Sequence, residues 1–223
     1  MSLSALQTEW IQLYDELGGV FDSQVLAAPF VSVPEDPGEL ASARQILLVG
    51  KVTNGDWSKK EFDATKDQLL TKRLKERRSR TLKHLKEIRN RDLNPSAFWR
   101  FRNSLEQICS QVIWTNLAKI GVRKGNPSLR FIERQSGLAQ RTLRAEIEEY
   151  KPALVVLVTN KFAADEIAHP VFGHLDSWKQ PDDSMWFKRA TQAEPAMLWG
   201  DHPQIKSNNE LDRWLKKARE LIS

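Results

Sequence analysis

Four apolar runs in this chain each end in a short polar motif. Gln45-Ile46-Leu47-Leu48-Val49-Gly50 leads into Lys51-Val52-Thr53-Asn54-Gly55-Asp56-Trp57. Gln111-Val112-Ile113-Trp114-Thr115 ends in Asn116, and the run from Ala153 to Thr159 ends in Asn160-Lys161. Ala196-Met197-Leu198-Trp199-Gly200 leads into Asp201-His202-Pro203-Gln204. Amide, ammonium and imidazole groups beside glycine turns suit hydrogen-bonded recognition of a polar ligand. Each motif has an ordinary reading when taken alone. A glycine-framed segment is often just a turn, an Asn at a strand end often caps it, and a lone His is usually surface or satisfied core. Their joint position after four apolar runs is what carries weight.

The runs are nearly continuous in hydrophobicity, the pattern of strands buried on both faces of a parallel sheet. Pro152 precedes the third run, whose β-branched valines disfavour a helix. Between the runs the spacing turns helical. Leu3, Leu6, Trp10, Leu13, Tyr14 and Leu17 recur near every 3.6 residues. Phe98, Phe101, Leu105 and Ile108 share a face of a helix predicted over 96–108. A further helix is predicted over 138–150, ending before Lys151-Pro152, and another at the C-terminus through Leu211, Trp214, Leu215 and Ala218. Strands alternating with helices imply right-handed crossovers and a single α/β domain over 1–223, a three-layer α/β/α sandwich. In such a sheet, ligands bind outside the carboxyl ends of the strands. If the four runs are parallel, their polar motifs converge.

Composition narrows the classes. With 223 residues, 40% hydrophobic and 28% charged, the chain has enough apolar sequence for one sizeable core. The net charge of +5 mildly favours polyanionic partners. Cys109 is the single cysteine, so an internal disulfide, a cysteine-built zinc site and a four-thiolate iron–sulfur cluster are all excluded. His169 and His174 have no acidic or thiol partner at metal-ligand spacing, so they read as structural or surface, with His84 part of a charged segment; no metal or cofactor is expected. The N-terminus lacks the pattern of a signal peptide, and no stretch is apolar enough to span a membrane, so the expected location is cytoplasmic. From Lys59 to Arg91 the chain is crowded with charge, including KRLKERRSR at 72–80. That helical segment is either a solvated surface or an arm whose Arg77, Arg78 and Arg80 neutralise phosphates.

The order of strand, glycine loop, strand ending in Asn, Pro-led apolar strand and strand leading to His-Pro resembles the uracil-DNA glycosylase superfamily. The resembling stretches are ILLVGKVTNGDW (46–57), VIWTNLAKI (112–120), EIEEYKPALVVLVTN (146–160) and MLWGDHPQ (197–204). The first 40 or so residues and the charged segment are largely uncovered. The resemblance implies a four-stranded parallel sheet between helical layers. It implies that Asn116 reads the Watson–Crick edge of an extruded base, and that His202 donates a hydrogen bond to the base oxygen as the glycosidic bond breaks. It also implies that Gly50, Lys51, Val52, Thr53 and Trp57 wall the base pocket. Pro203, Gln204 and Lys206 then belong to a loop that enters the minor groove.

The glycine loop departs from the resemblance at Val52, and the usual Pro followed by Tyr or Gly is also absent. Two residues after the first glycine, members of this superfamily carry a side chain that orients water, and here stands Val52. Thr53 or Asn54 would have to substitute at shifted geometry, and Asn54 joins His202 in the expected catalytic set. Three expectations follow: a DNA glycosylase acting on uracil or a related damaged base, a nucleobase- or DNA-binding module of the same fold without cleavage, or an interaction protein whose basic helix docks an acidic partner. DNA ranks ahead of RNA as the nucleic acid. The sequence leaves the oligomeric state open.

Overall fold

The computed structural model describes residues 3–21, 26–27, 44–52, 97–109, 111–122 and 125–223. The charged segment at 59–91 lies outside the described residues. Five α-helices are described: α1 (Leu3–Val20), α2 (Ala97–Glu106), α3 (Leu129–Tyr150), α4 (His169–Phe172) and α5 (Asn208–Ile222). Eight strands run in chain order as β1 (Leu26–Ala27), β2 (Gln45–Val52), β3 (Gln111–Ala118), β4 (Gly121–Val122), β5 (Leu154–Val158), β6 (Lys179–Asp182), β7 (Met185–Lys188) and β8 (Ala196–Gly200).

The protein is α/β, and its main sheet has the order β3-β2-β5-β8-β7-β6. The four strands expected from the apolar runs are all parallel. Ile46 pairs with Val112 and Leu154, and Val156 pairs with Leu198. The sheet is nonetheless mixed and six-stranded, which corrects the four-stranded expectation: β7 runs antiparallel to β8, and β6 antiparallel to β7. These added strands have no continuous apolar run to betray them. β7 buries Met185 and Phe187 while Trp186 and Lys188 are half-exposed, a period of two. β6 is Lys-Gln-Pro-Asp, polar and mostly exposed, and Pro181 is tolerated there because β6 is an edge strand. β1 and β4 form a separate two-stranded antiparallel pair.

Alternation along the central strands divides the buried side chains into two clusters. Leu47, Val49, Ile113, Val155 and Leu157 pack with Leu6, Trp10 and Tyr14 of α1 and with Phe131, Ile132, Ala139 and Leu143 of α3. Ile46, Leu48, Val112, Leu154 and Val156 pack with Phe98, Phe101 and Leu105 of α2 and with Trp214 and Ala218 of α5. Each fully buried aliphatic side chain contributes about 1.5–3 kcal/mol, and β5 and β8 are both buried along all five residues.

Local chemistry sets the helix ends. Ser128 caps α3 by accepting from the Phe131 amide, and Lys151 closes it in a left-handed conformation just before Pro152. Ser207 and Glu210 cap α5 reciprocally. The Trp10 indole N–H donates to Thr142 Oγ1 at 2.9 Å, fixing α1 on α3. Among the described residues, no helix is long and apolar enough to cross a membrane.

Candidate functional site

In chain order the parallel strands are β2, β3, β5 and β8, but in space the order is β3-β2-β5-β8. The chain steps outward from β2 to β3, then returns across β2 to β5. The reversal falls between β2 and β5, and it is at the carboxyl ends of strands flanking such a reversal that open α/β sheets take their ligands. Lys51 lies at the end of β2, and Asn160 follows β5. Asn116 and His202 flank them, on β3 and after β8. Three interstrand spacings of about 4.8 Å separate β3 from β8, roughly 14 Å in all. Asn116 and His202 therefore stand at the two outer strands of the four that run parallel.

Asn116 is 2% exposed and faces Gly50, its register partner on β2. A methyl at Gly50 would come within 2.5 Å of Asn116 Oδ1 and 3.4 Å of Trp114 Nε1. Glycine is needed at that point for close approach rather than for a special φ. Val112, Trp114 and Asn116 alternate onto the side of the sheet that carries α2 and α5. An aromatic wall continues from there. Trp99 meets Trp114 edge-on at 5.1 Å, Phe98 meets Trp114 at 5.8 Å, and Phe98 stacks on the His202 ring at 5.9 Å with 17° between planes. Phe98 therefore links the imidazole to Trp114, which shares its side of the sheet with Asn116 two residues on.

The loop after β8 fixes His202 through its backbone. Asn160 adopts a left-handed conformation with φ of 53°, which Asn tolerates better than most residues. Its Oδ1 accepts from the His202 amide at 2.6 Å, and its carbonyl accepts from the Trp199 indole N–H at 2.8 Å. The Gln204 amide donates to His202 Nδ1 at 3.3 Å. That bond assigns the proton of the neutral ring to Nε2. Burial, together with the nearby Lys51 charge, pushes the His202 pKa down to about 4. The ring is thus neutral near pH 7 and presents an Nε2–H donor.

Asp201 and Lys51 complete the electrostatics. Asp201 Oδ2 pairs with Lys206 Nζ at 2.8 Å, and Lys206 reaches Glu210 at 3.2 Å. Burial lowers the Lys51 pKa, and the Asp201 carboxylate opposes that shift. The edge as a whole offers an amide, a neutral imidazole donor, an ammonium and a flat aromatic wall. Those groups can hydrogen-bond a flat heterocycle at two points and stabilise negative charge that develops on it.

The structure brings Gly50, Lys51, Asn116 and His202 to the same edge. It turns Val52 away: this side chain is 9% exposed and packs in the cluster beneath α1 and α3. In the loop after β8, Pro203 is buried and Gln204 exposed, while the Lys206 side chain is 7% exposed and held by two carboxylates. Thr53, Asn54, Trp57, Arg77, Arg78 and Arg80 lie outside the described residues.

Two features were missed in the sequence. Phe98, Trp99 and Trp114 were visible only as apolar residues at helix or strand spacing, and Asn160 only as a strand end. His169 does have an acidic partner, contrary to expectation: its Nδ1 lies 2.9 Å from Asp165 Oδ1, and its ring lies 4.6 Å from that of His174. Even so, among the described residues no three His, Cys, Asp or Glu side chains are grouped to hold a metal. Compared with known proteins, the chain matches no family profile and no curated sequence.

Proposed function

We propose that the carboxyl edge of the parallel strands is a nucleobase site, and that the chain is a divergent, DNA-directed member of the uracil-DNA glycosylase superfamily. The observation that carries this reading is Phe98, whose ring stacks on His202 and meets Trp114 two residues before Asn116. It supports an amide and an imidazole donor acting on one ligand. The three-layer α/β/α arrangement and the cytoplasmic, DNA-repair setting belong to the same proposal. The division of the core into an α1/α3 cluster and an α2/α5 cluster supports the layering.

On this reading a base leaves the stack, at a cost of a few kcal/mol offset by contacts in the site. Asn116 offers both a donor and an acceptor to the edge of the base. His202 Nε2–H donates to the base oxygen as the glycosidic bond breaks and negative charge develops there. A neutral ring suits this role, since it gives up no proton and its charge state is constant across neutral pH. Gln204 is the residue that would meet the strand, a reading its exposure after the buried Pro203 supports.

The test is incubation of the full chain with uracil-containing single- and double-stranded oligonucleotides, followed by detection of released base. Base release is expected, with a loss of about 10²–10³-fold in His202→Ala, the size of effect seen when an oxyanion donor is removed. Absence of release from folded protein across several damaged bases contradicts the cleaving form of the proposal. Val52 supports a second reading, a binding module without hydrolysis, because its side chain is committed to the core and cannot orient water. That form gives salt-dependent DNA binding with no abasic product.

A further inference from the structure

β5 stops at Val158, and two residues on the chain turns: Asn160 stands in the left-handed region. Outside glycine that conformation is costly, and Asn bears it better than most because its short amide can bond locally. Strain of this kind persists where the surroundings hold it in place, and it gathers at functional sites. Here the surroundings are three hydrogen bonds to β8 and the loop after it. The Asn160 N–H donates to the Gly200 carbonyl at 3.0 Å, its carbonyl accepts from the Trp199 indole N–H at 2.8 Å, and its Oδ1 accepts from the His202 amide at 2.6 Å. The first two partners are rigid. Trp199 is buried, and Gly200 is packed so closely that a methyl there would collide with the Trp214 ring and the Ser184 carbonyl. The backbone of Asn160 is thus pinned to β8, while its side chain reaches past the strand to the loop. Beyond the His202 amide, the imidazole stacks on Phe98, and its Nδ1 accepts from Gln204. A held backbone amide, a stacked face and an occupied Nδ1 leave the ring little freedom.

We infer that Asn160 is a positioning residue, whose side-chain acceptor holds His202 where its imidazole serves as a donor; this rests on the nucleobase reading of the same edge. β5 then contributes to the site although its own residue touches no base. The role needs two properties at once: a backbone that accepts a positive φ and a short side chain that offers an acceptor. Glycine has only the first, alanine has neither, and aspartate has both. A donor fixed before charge develops needs no reorganisation at the moment of reaction. Loosening His202 therefore slows the bond-breaking step more than it weakens binding.

The experiment compares Asn160→Gly and Asn160→Asp with the wild type, each as the full chain. One readout is the nuclear Overhauser contact between the Phe98 and His202 rings in the free protein. The other is the rate of base release from uracil-containing DNA. Asn160→Gly keeps the turn and deletes the acceptor. It should lose the ring-to-ring contact and lower kcat about 10-fold with little change in KM, the size of effect of one hydrogen bond. Asn160→Asp keeps both turn and acceptor and should restore both readouts. A merely structural Asn160 would lower the thermal midpoint and leave the ring contact and kcat of the folded protein as they are. The inference is overturned if the ring contact survives in Asn160→Gly or is lost in Asn160→Asp. It is overturned too, with the nucleobase reading left standing, if the wild type releases base and Asn160→Gly matches its kcat. If the wild type releases no base, the cleaving form of that reading falls, and the ring contact alone decides whether Asn160 positions His202.

Discussion

Two lysines in this protein share a physical condition and differ in everything else. Burial lowers the pKa of both Lys119, just after β3, and Lys51, at the end of β2. Lys119 is fully buried and ion-paired with Glu146 at 2.8 Å, and it also donates to Thr115 Oγ1. Thr115 in turn donates to Glu146 at 2.9 Å. This closed, dry triad joins β3 to α3 on one side of the sheet. Lys51 is half-exposed, and its charge is coupled to that of Asp201, which Lys206 already engages, and lowers the pKa of His202. A depressed lysine pKa is therefore no sign of chemistry by itself. What distinguishes the two is access. Lys119 has a committed partner and no route for a ligand, whereas Lys51 stands at an open edge.

The comparison is easiest to break on the Lys119 side. Glu146→Gln leaves a buried ammonium without its counter-charge and should cost about 3–5 kcal/mol in chemical denaturation. Lys119→Met combined with Glu146→Leu should recover most of that loss, because the apolar pair carries no desolvation penalty. If the single variant costs nothing, the triad is not the structural clamp described here. Next in size is Gly200→Ala at the end of β8. The added methyl meets the Trp214 ring and lies 2.6 Å from the Ser184 carbonyl. Overpacking of that kind should cost about 1–3 kcal/mol by the same measurement.

The Lys51 side is sharpened by pH. His202 has a folded pKa of about 4, below the ordinary 6.5, so its contribution to stability is complete above pH 6.5 and is lost as pH falls from 6.5 toward 4. Lys51→Met removes one of the two causes of that depression and leaves burial, the larger. The His202 titration followed by NMR should move upward and stop short of 6.5. An unchanged titration would mean that Lys51 does not reach the imidazole. The smallest effect belongs to the surface: Glu9→Gln breaks the exposed ion pair between Glu9 and Arg141, which links α1 to α3, and should cost at most about 1 kcal/mol.

Much of the frame was legible because burial on both faces leaves a continuous apolar signature. β2, β3, β5 and β8 fall where the four runs predict them, and Pro152 marks the entry to β5. The start of α3 was not legible. Gly137, unfavourable in a helix interior by about 1 kcal/mol relative to Ala, interrupts the pattern at the ninth residue of the helix. Burial of Phe131 and Ile132 outweighs that penalty. β6 and β7 escaped because their pairing is set by the neighbouring β8 rather than by their own hydrophobicity. Asn116 and His202 could be named because strand ends mark the ligand edge of a parallel sheet. Phe98 could not, since helical spacing shows that it is buried but not that its ring meets the imidazole of a residue a hundred positions later.

The central claim is that the Asn116 amide and the His202 imidazole address one ligand. The most direct measurement is NMR of labelled protein titrated with a uracil-containing oligonucleotide, following the Asn116 side-chain amide and the His202 ring nitrogens. The account predicts that both signals shift together with a common saturation, and that Asn116→Ala and His202→Ala each weaken the response of the remaining partner. Movement of one signal without the other, or of neither while the oligonucleotide binds, would contradict it.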